Sequence, residues 1–151
     1  MTTSTPEPAP TGPEIRGPEV LRRVVPEAAM KDDGRPSSSA FMRSSHDSMM
    51  STFREGVPVE DVAAAWKGKS PLAGVWPVGV IDGSANGAKV YDDGLKPCAC
   101  GGANDGCEGD YPDGHASVDL REIGRSRRER LAKQFRDAAV QNGALLKAAN
   151  D

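Results

Sequence analysis

Gly74-Val-Trp-Pro-Val-Gly-Val-Ile81 is the longest apolar run in the chain, and it predicts a β-strand. Trp76, Val78 and Val80 occupy alternate positions, so they would share one face of that strand. Pro77 has no N–H to donate to a neighbouring strand, which predicts that the strand lies at an edge or carries a bulge there. The run is far too short to span a membrane, because a transmembrane helix needs about 20 apolar residues.

Two further runs complete a predicted sheet of about three strands. Residues 88–91 would form the return strand of a hairpin, because turn-forming pairs precede them at Asp82-Gly83 and Asn86-Gly87. Residues 116–120 alternate apolar and polar side chains, which predicts a strand with one buried face.

Two helices are predicted, one short and one long. Pro58 suits the first helical position, Glu60 and Asp61 suit the first turn, and the helix would end at Lys67-Gly68. The long helix would run from about Arg125 to Ala149, where apolar residues recur at helical spacing: Leu131, Phe135, Ala138, Leu145 and Ala149. Gly143 should weaken its end.

The amino-acid composition predicts a disordered tail followed by a folded domain. Val, Ile, Leu and Phe are scarce, and residues 1–18 contain five of the twelve prolines. Such a segment cannot bury enough apolar surface to offset its conformational entropy. We expect residues 1–33 to be mostly a disordered Pro/Thr-rich tail. Residues 34–151 would form one small α+β domain with a short sheet, one short helix, a long C-terminal helix, and a Gly/Cys/Asp-rich loop at 92–114.

The sequence has neither a recognisable secretory signal nor the cysteine pattern of a secreted protein, and these two features predict its cellular location. Residues 1–6 have neither the basic start nor the apolar centre of a secretory signal. The three cysteines are an odd number and lie close together, which argues against a secreted disulfide scaffold. We therefore expect a cytoplasmic protein.

The sharpest local motif is a cluster of cysteines followed by a histidine. Cys98, Cys100, Cys107 and His115 follow the spacing C-x-C-x6-C-x7-H, and thiolates with an imidazole are the ligands that zinc prefers. The spacing matches neither paired C-x2-C knuckles nor the zinc-finger pattern. The sequence therefore leaves two interpretations open: a Cys3His zinc site, or cysteines that bind no metal and remain inert free thiols or form an adventitious disulfide.

A basic segment opens the predicted C-terminal helix. Its candidate anion-binding residues are Arg125, Arg127, Arg128, Arg130 and Lys133. Positive charge is unfavourable at a helix N-terminus, which calls for compensation by the acidic loop upstream or by an anion such as phosphate. The alternative is a solvated helix face. Because Leu131 and Phe135 should face inward, we expect Arg127 and Arg130 to lie nearest the buried side.

No catalytic site is predicted. Ser45, His46 and Asp47 are adjacent in sequence, but a catalytic triad is defined by geometry and not by adjacency. The usual nucleophile, phosphate-loop and dinucleotide motifs do not occur.

Several short motifs occur in a suggestive order along the chain. They are Arg35-Pro-Ser-Ser-Ser-Ala-Phe41, Ala73-Gly-Val-Trp76 and Gly114-His-Ala-Ser-Val118, followed by the basic segment. In this order the chain resembles a family of small bacterial proteins without an established function, over residues 34–136. The resemblance implies a compact α+β domain and no particular reaction, and the cysteine loop departs from that family's pattern.

The sequence as a whole predicts a non-catalytic binding or interaction module, zinc-stabilised if the cysteines bind metal. Its partner would be a protein or an anionic ligand bound through the basic helix. Nucleic acid is not the favoured partner, because no aromatic residues or nucleic-acid motif accompany the arginines. The alternative is an enzyme or binder acting on a nucleotide or another phosphorylated ligand.

Overall fold

One antiparallel sheet of seven strands forms the centre of the protein. The structure is a computed structural model that describes residues 12–42, 49–66, 68–96 and 111–148. The strands are β1 (Glu14–Ile15), β2 (Val20–Pro26), β3 (Met49–Phe53), β4 (Leu72–Gly79), β5 (Lys89–Asp92), β6 (His115–Asp119) and β7 (Leu146–Lys147). Their order across the sheet is β1-β5-β6-β3-β2-β4-β7.

Three α-helices accompany the sheet: α1 (Val59–Ala64), α2 (Val80–Ser84) and α3 (Arg125–Asn142). Two short 3-10 turns, Glu27–Ala29 and Ser38–Phe41, follow β2. The described helices include none that is long and apolar enough to cross a membrane.

The predicted fold is wrong in the size of its sheet, which has seven strands in place of about three. Two of the missing strands, β1 and β2, come from residues expected to belong to the tail, and Leu21 and Val25 of β2 are fully buried. Residues 1–11 lie outside the described part of the chain. Strand β3 was missed because Met49 and Met50 are both buried, so the strand has no alternating pattern.

The predicted hairpin is also wrong. Strand β4 ends at Gly79, and the chain turns directly into α2. Strand β5 then pairs with β1 and β6, not with β4. The turn-forming pairs at Asp82-Gly83 and Asn86-Gly87 therefore belong to α2 and its exit, where Gly87 has φ +85°.

Pro77 lies in the interior of β4 without disrupting the sheet. It lies opposite Arg22 of β2, whereas β7 pairs with only Gly74 and Val75 on the other side. Within the described residues, β4 therefore has one neighbouring strand at Pro77, which agrees with the local edge that the sequence predicts.

The main core lies between one face of the sheet and α3. Leu21, Trp76 and Val118 contribute from the strands, and Leu131 and Phe135 contribute from the helix. Because successive strand residues point to opposite faces, Val75 lies on the other face, where α1 contacts β2 and β4. His115 and Ser117 likewise lie on the face opposite Ala116 and Val118.

Helix α3 begins at the predicted Arg125 but ends at Asn142, earlier than expected. Gly143 follows with φ +84° and ψ 158°, a conformation open almost only to glycine, and its N–H donates to Ala139 O at 2.8 Å. The chain then runs into β7, where Leu145 N donates to Val75 O. Leu145 is therefore not part of the helical stripe.

Candidate functional site

The N-terminus of α3 is open. Gly124 occupies the N-cap position, and a glycine has no side chain to accept hydrogen bonds from the first turn. Arg128 N donates to Gly124 O, which leaves the N–H groups of Arg125, Ser126 and Arg127 without an acceptor inside the helix. There is no acidic residue in this first turn. No residue of the cap or first turn therefore compensates the positive end of the helix dipole beside the basic segment.

We call the five predicted residues the basic α3 surface: Arg125, Arg127, Arg128, Arg130 and Lys133. Their exposure differs from the expectation that Arg127 and Arg130 lie nearest the core, since both are exposed and Arg128 is the half-buried one. Arg128 precedes the buried Leu131 by three residues and Phe135 by seven, so it lies on their side of the helix.

Most of the basic α3 surface has no carboxylate partner in the part of the chain that the structure describes. Arg125 Nε lies 3.3 Å from Glu129 Oε1, an exposed pair. Arg127 Nη2 donates to Asn86 O at 3.1 Å. Within the described residues, Arg127, Arg128, Arg130 and Lys133 form no ion pair. The compensation expected from the acidic loop upstream is thus absent from the described part of that loop.

Two hollows flank the helix, and this surface contributes to both. One has a volume of about 340 Å³ and is lined by Met42, Leu120, Arg125, Arg128 and Glu129. The other has a volume of about 180 Å³ and is lined by Asn86, Arg127, Arg130 and Gln134. Among the described residues, the second lining contains two arginines and no acidic side chain, so these residues present only guanidinium and amide groups to a ligand.

A second polar cluster is buried on the opposite face of the sheet. Asp93 Oδ1 lies 2.7 Å from His115 Nδ1, and Ser117 Oγ donates to Asp93 Oδ2 at 2.5 Å. We call these three residues the His115 cluster; each is at most 3% exposed. The aspartate bridges the serine and the histidine, whereas a nucleophilic triad needs the histidine between the other two. The arrangement therefore does not activate Ser117.

The ring of His115 is held between two aromatic side chains. Tyr111 stacks on it at a centroid distance of 3.8 Å, and Phe53 meets it edge-on at 5.7 Å. Within the described residues, Nε2 of this buried ring has no hydrogen-bond partner. A buried polar atom without a partner costs about 1–3 kcal/mol, so such an atom in a native protein calls for an explanation.

Of the four predicted zinc ligands, the structure describes one. His115 is described, whereas Cys98, Cys100 and Cys107 lie outside the described residues. The part of the chain that the structure describes contains no group of three or more metal-binding side chains. The Ser45-His46-Asp47 segment also lies outside the described residues.

Arg54 organises a network that the sequence did not predict. Its guanidinium binds both carboxylate oxygens of Glu19, at 2.6 and 3.0 Å, and Asp92 Oδ2 at 2.9 Å. The hydrogen bond to Glu19 is the main cause that raises the pKa of Arg54, and it holds the pKa of Glu19 below its ordinary value. Because Arg54 lies 35 positions from Glu19 and 38 from Asp92, no local pattern could have indicated the network.

No protein-family model, curated protein or solved structure shows a significant match to the chain. The resemblance to small bacterial proteins therefore stays a prediction.

Proposed function

We propose that the protein is a non-catalytic binding module that recognises a phosphate-bearing ligand through the basic α3 surface. The observation that carries the proposal is a set of four cations beside an open helix N-terminus that form no ion pair with any described residue: Arg127, Arg128, Arg130 and Lys133. Backbone N–H groups and the helix dipole favour an anion at such an end. Arginines add planar donors that match phosphate oxygens.

The charges in the rest of the chain support an anion-binding site that is confined to the start of α3. The whole chain carries a net charge of −3, so a general attraction to polyanions is not expected. Three arginines elsewhere have carboxylate partners, whereas Arg127, Arg128 and Arg130 have none among the described residues: Arg16 pairs with Glu14, Arg35 with Asp33 and Arg54 with Glu19. An anion should therefore be drawn to the start of α3. Cytoplasmic location stays a prediction alongside this proposal.

The test is the binding of fluorescently labelled oligonucleotides, single-stranded and duplex, with nucleoside triphosphate and poly-glutamate as competitors. Three phosphate contacts on a single strand predict a loss of affinity of roughly twentyfold between 50 and 200 mM salt. Competition by triphosphate but not by poly-glutamate would identify phosphate as the recognised group. Turnover of the bound triphosphate would show an enzyme and overturn the non-catalytic part of the proposal.

Charge-reversal variants locate the site. Arg127→Glu/Arg130→Glu alters the smaller hollow, and Arg125→Glu/Arg128→Glu alters the larger one. We expect at least one of these double variants to lose tenfold or more in affinity. The matched control, Arg16→Glu/Lys31→Glu, makes the same change in net charge at two exposed positions outside α3. Equal binding by wild type and all three variants, or no binding at 20 mM salt, would overturn the proposal.

A further inference from the structure

The larger hollow beside α3 combines apolar and charged side chains. Its apolar part consists of Leu120, which belongs to the main core, and Met42, which packs against that core. Its charged part consists of Arg125, Arg128 and Glu129, at positions i, i+3 and i+4 of the helix, so these three side chains share one face. A ligand that matches this lining has an apolar part as well as an anionic group.

The smaller hollow has a different character. Its described lining is polar throughout: Asn86, Arg127, Arg130 and Gln134. It lies on another flank of the helix, because Arg127 follows Arg125 by two positions, roughly 200° of rotation about the helix axis. Its volume of about 180 Å³ leaves room for a phosphate group. The larger hollow, with about 340 Å³, falls within the range of about 300–1,000 Å³ that is typical of small-molecule sites.

Arg128 is suited to two parts of such a ligand. It is half-buried on the side of the helix that carries Leu131, and it forms no ion pair with any described residue. A guanidinium is planar and weakly hydrated, so it stacks on aromatic rings and also binds phosphate oxygens. The ligand of the larger hollow therefore combines a flat ring with a phosphate.

Glu129 and Met42 narrow the class of ligand further. The carboxylate of Glu129 accepts hydrogen bonds and repels a phosphate, so a ligand made of phosphate alone does not match this hollow. Its pair with Arg125 is exposed and therefore weak, which leaves both side chains able to contact a ligand. The thioether of Met42 is flexible and packs favourably against aromatic rings. A nucleobase provides the flat ring, and adenine, guanine and cytosine each carry an amino group that can donate to a carboxylate.

We propose that the larger hollow binds a nucleotide, an inference that rests on the proposed function of the basic α3 surface and names its ligand. The base lies against Met42 and Leu120, with its amino group towards Glu129. The phosphate binds Arg125 and Arg128 beside the first turn of α3. The smaller hollow takes no base, because its described lining offers no apolar side chain.

The experiment compares matched ligands by titration calorimetry of the full-length protein at 20 mM salt. The ligands are the four common ribonucleoside 5′-monophosphates and ribose 5-phosphate, which has the same phosphate and no base. We expect at least one nucleotide to bind tenfold or more tightly than ribose 5-phosphate. Nucleotides that bind no more tightly than ribose 5-phosphate, or not at all, would overturn the inference without any variant having to fold. The oligonucleotide assay tests the phosphate proposal separately, and that proposal stands if the oligonucleotides still bind.

Variants of the lining locate the base and the phosphate. Met42→Ser should weaken nucleotide binding fivefold or more and leave ribose 5-phosphate binding unchanged. The matched control is Met30→Ser, the same change at another partly buried methionine that packs against the core outside the hollow, and it should bind both ligands like wild type.

The two charge-reversal variants distinguish the hollows. Arg125→Glu/Arg128→Glu should lose tenfold or more in affinity for the nucleotide, and Arg127→Glu/Arg130→Glu should lose less than threefold. A larger loss in the second variant than in the first would place the nucleotide outside the larger hollow and overturn the inference. Equal effects of Met42→Ser and Met30→Ser on nucleotide binding would overturn it as well.

Discussion

Arg23 links strands β2 and β3 beyond the point where their backbones pair. Strands β2 and β3 share a single register pair, Arg22 with Phe53. Beyond it, Arg23 Nε donates to Ala40 O at 2.9 Å and Nη1 donates to Ser51 O at 2.7 Å. Burial lowers the pKa of Arg23 to about 10, so the side chain stays charged at neutral pH. The guanidinium thus supplies one hydrogen bond from β2 to β3, at Ser51, and a second to the 3-10 turn that contains Ala40.

Arg23→Met should lower the free energy of unfolding by about 2–4 kcal/mol, because two backbone carbonyls lose their donor. Urea denaturation at neutral pH measures the change. Arg16→Met removes an exposed arginine and should stay within about 0.5 kcal/mol of wild type. Equal losses in both variants would show that Arg23 acts only through its general charge or bulk.

The Glu19–Arg54 pair makes stability depend on pH. Its hydrogen bond with Arg54 lowers the pKa of Glu19, so the folded state holds this carboxylate ionised at a pH where the unfolded chain begins to protonate it. The stabilisation is present above the unfolded pKa and is lost as pH falls through the folded value. Arg54 is 38% exposed, which limits the effect to on the order of 1 kcal/mol.

Glu19→Gln should therefore be less stable than wild type at pH 7, and the difference should shrink as pH falls from 5 towards 3. Denaturant unfolding at a series of pH values gives the profile. Glu14→Gln removes the pair with Arg16, whose side chain is 81% exposed, and should alter the profile much less. A constant difference between wild type and Glu19→Gln at every pH would contradict this explanation.

Among the helices and strands, the sequence predicted those in which apolar residues recur with a long, regular period. The apolar stripe placed the start of α3 at Arg125, and the alternation in residues 116–120 matches β6. Strands β1 and β7 have two residues each, too few for any period. In strand β2, Arg22 and Arg23 interrupt the apolar run, so the pattern does not distinguish a short strand from a helical turn. The arginines of the basic α3 surface were identified from sequence, but the Arg54 network and the partners of His115 depend on pairings between distant strands.

Helix α3 offers a substitution that should change stability and binding in opposite directions. Gly124 has φ −63°, and a Cβ there would meet no atom within 4 Å, so a side chain fits. In Gly124→Asp the carboxylate can accept a hydrogen bond from the N–H of Ser126 or Arg127. Its negative charge also interacts favourably with the positive end of the helix dipole. We expect a gain of roughly 0.5 kcal/mol in unfolding free energy. The same negative charge should weaken phosphate-ligand binding severalfold.

Gly124→Asn is the matched control, because it caps the helix without adding charge. It should raise thermal stability by a similar amount and reduce binding less than Gly124→Asp does. Calorimetry and the oligonucleotide assay measure the two effects. Unchanged affinity in Gly124→Asp, with the gain in stability present, would place the ligand away from the helix N-terminus.

Across the whole molecule, the N-terminal segment ties together distant parts of the sheet. Strand β1 lies at one edge against β5, and β2, the next strand in the chain, lies between β3 and β4. The segment joins the sheet at Pro13, whose carbonyl accepts from Asp92 N at 2.8 Å. Ile15 of β1 is 6% exposed and belongs to the main core. Residues expected to form a tail therefore supply both an edge strand and an interior strand.

Two truncations test where the fold begins. Removing residues 1–11 deletes a proline- and threonine-rich segment outside the described residues, and the unfolding free energy should stay within about 0.5 kcal/mol of the full-length value. Removing residues 1–18 also deletes β1, exposes the edge of β5 and loses the burial of Ile15, which alone contributes about 1.5–3 kcal/mol. Urea denaturation of the two shortened proteins measures both effects. An equal loss in both would show that residues 1–11 contribute to the fold, and no loss in either would show that β1 does not stabilise the sheet.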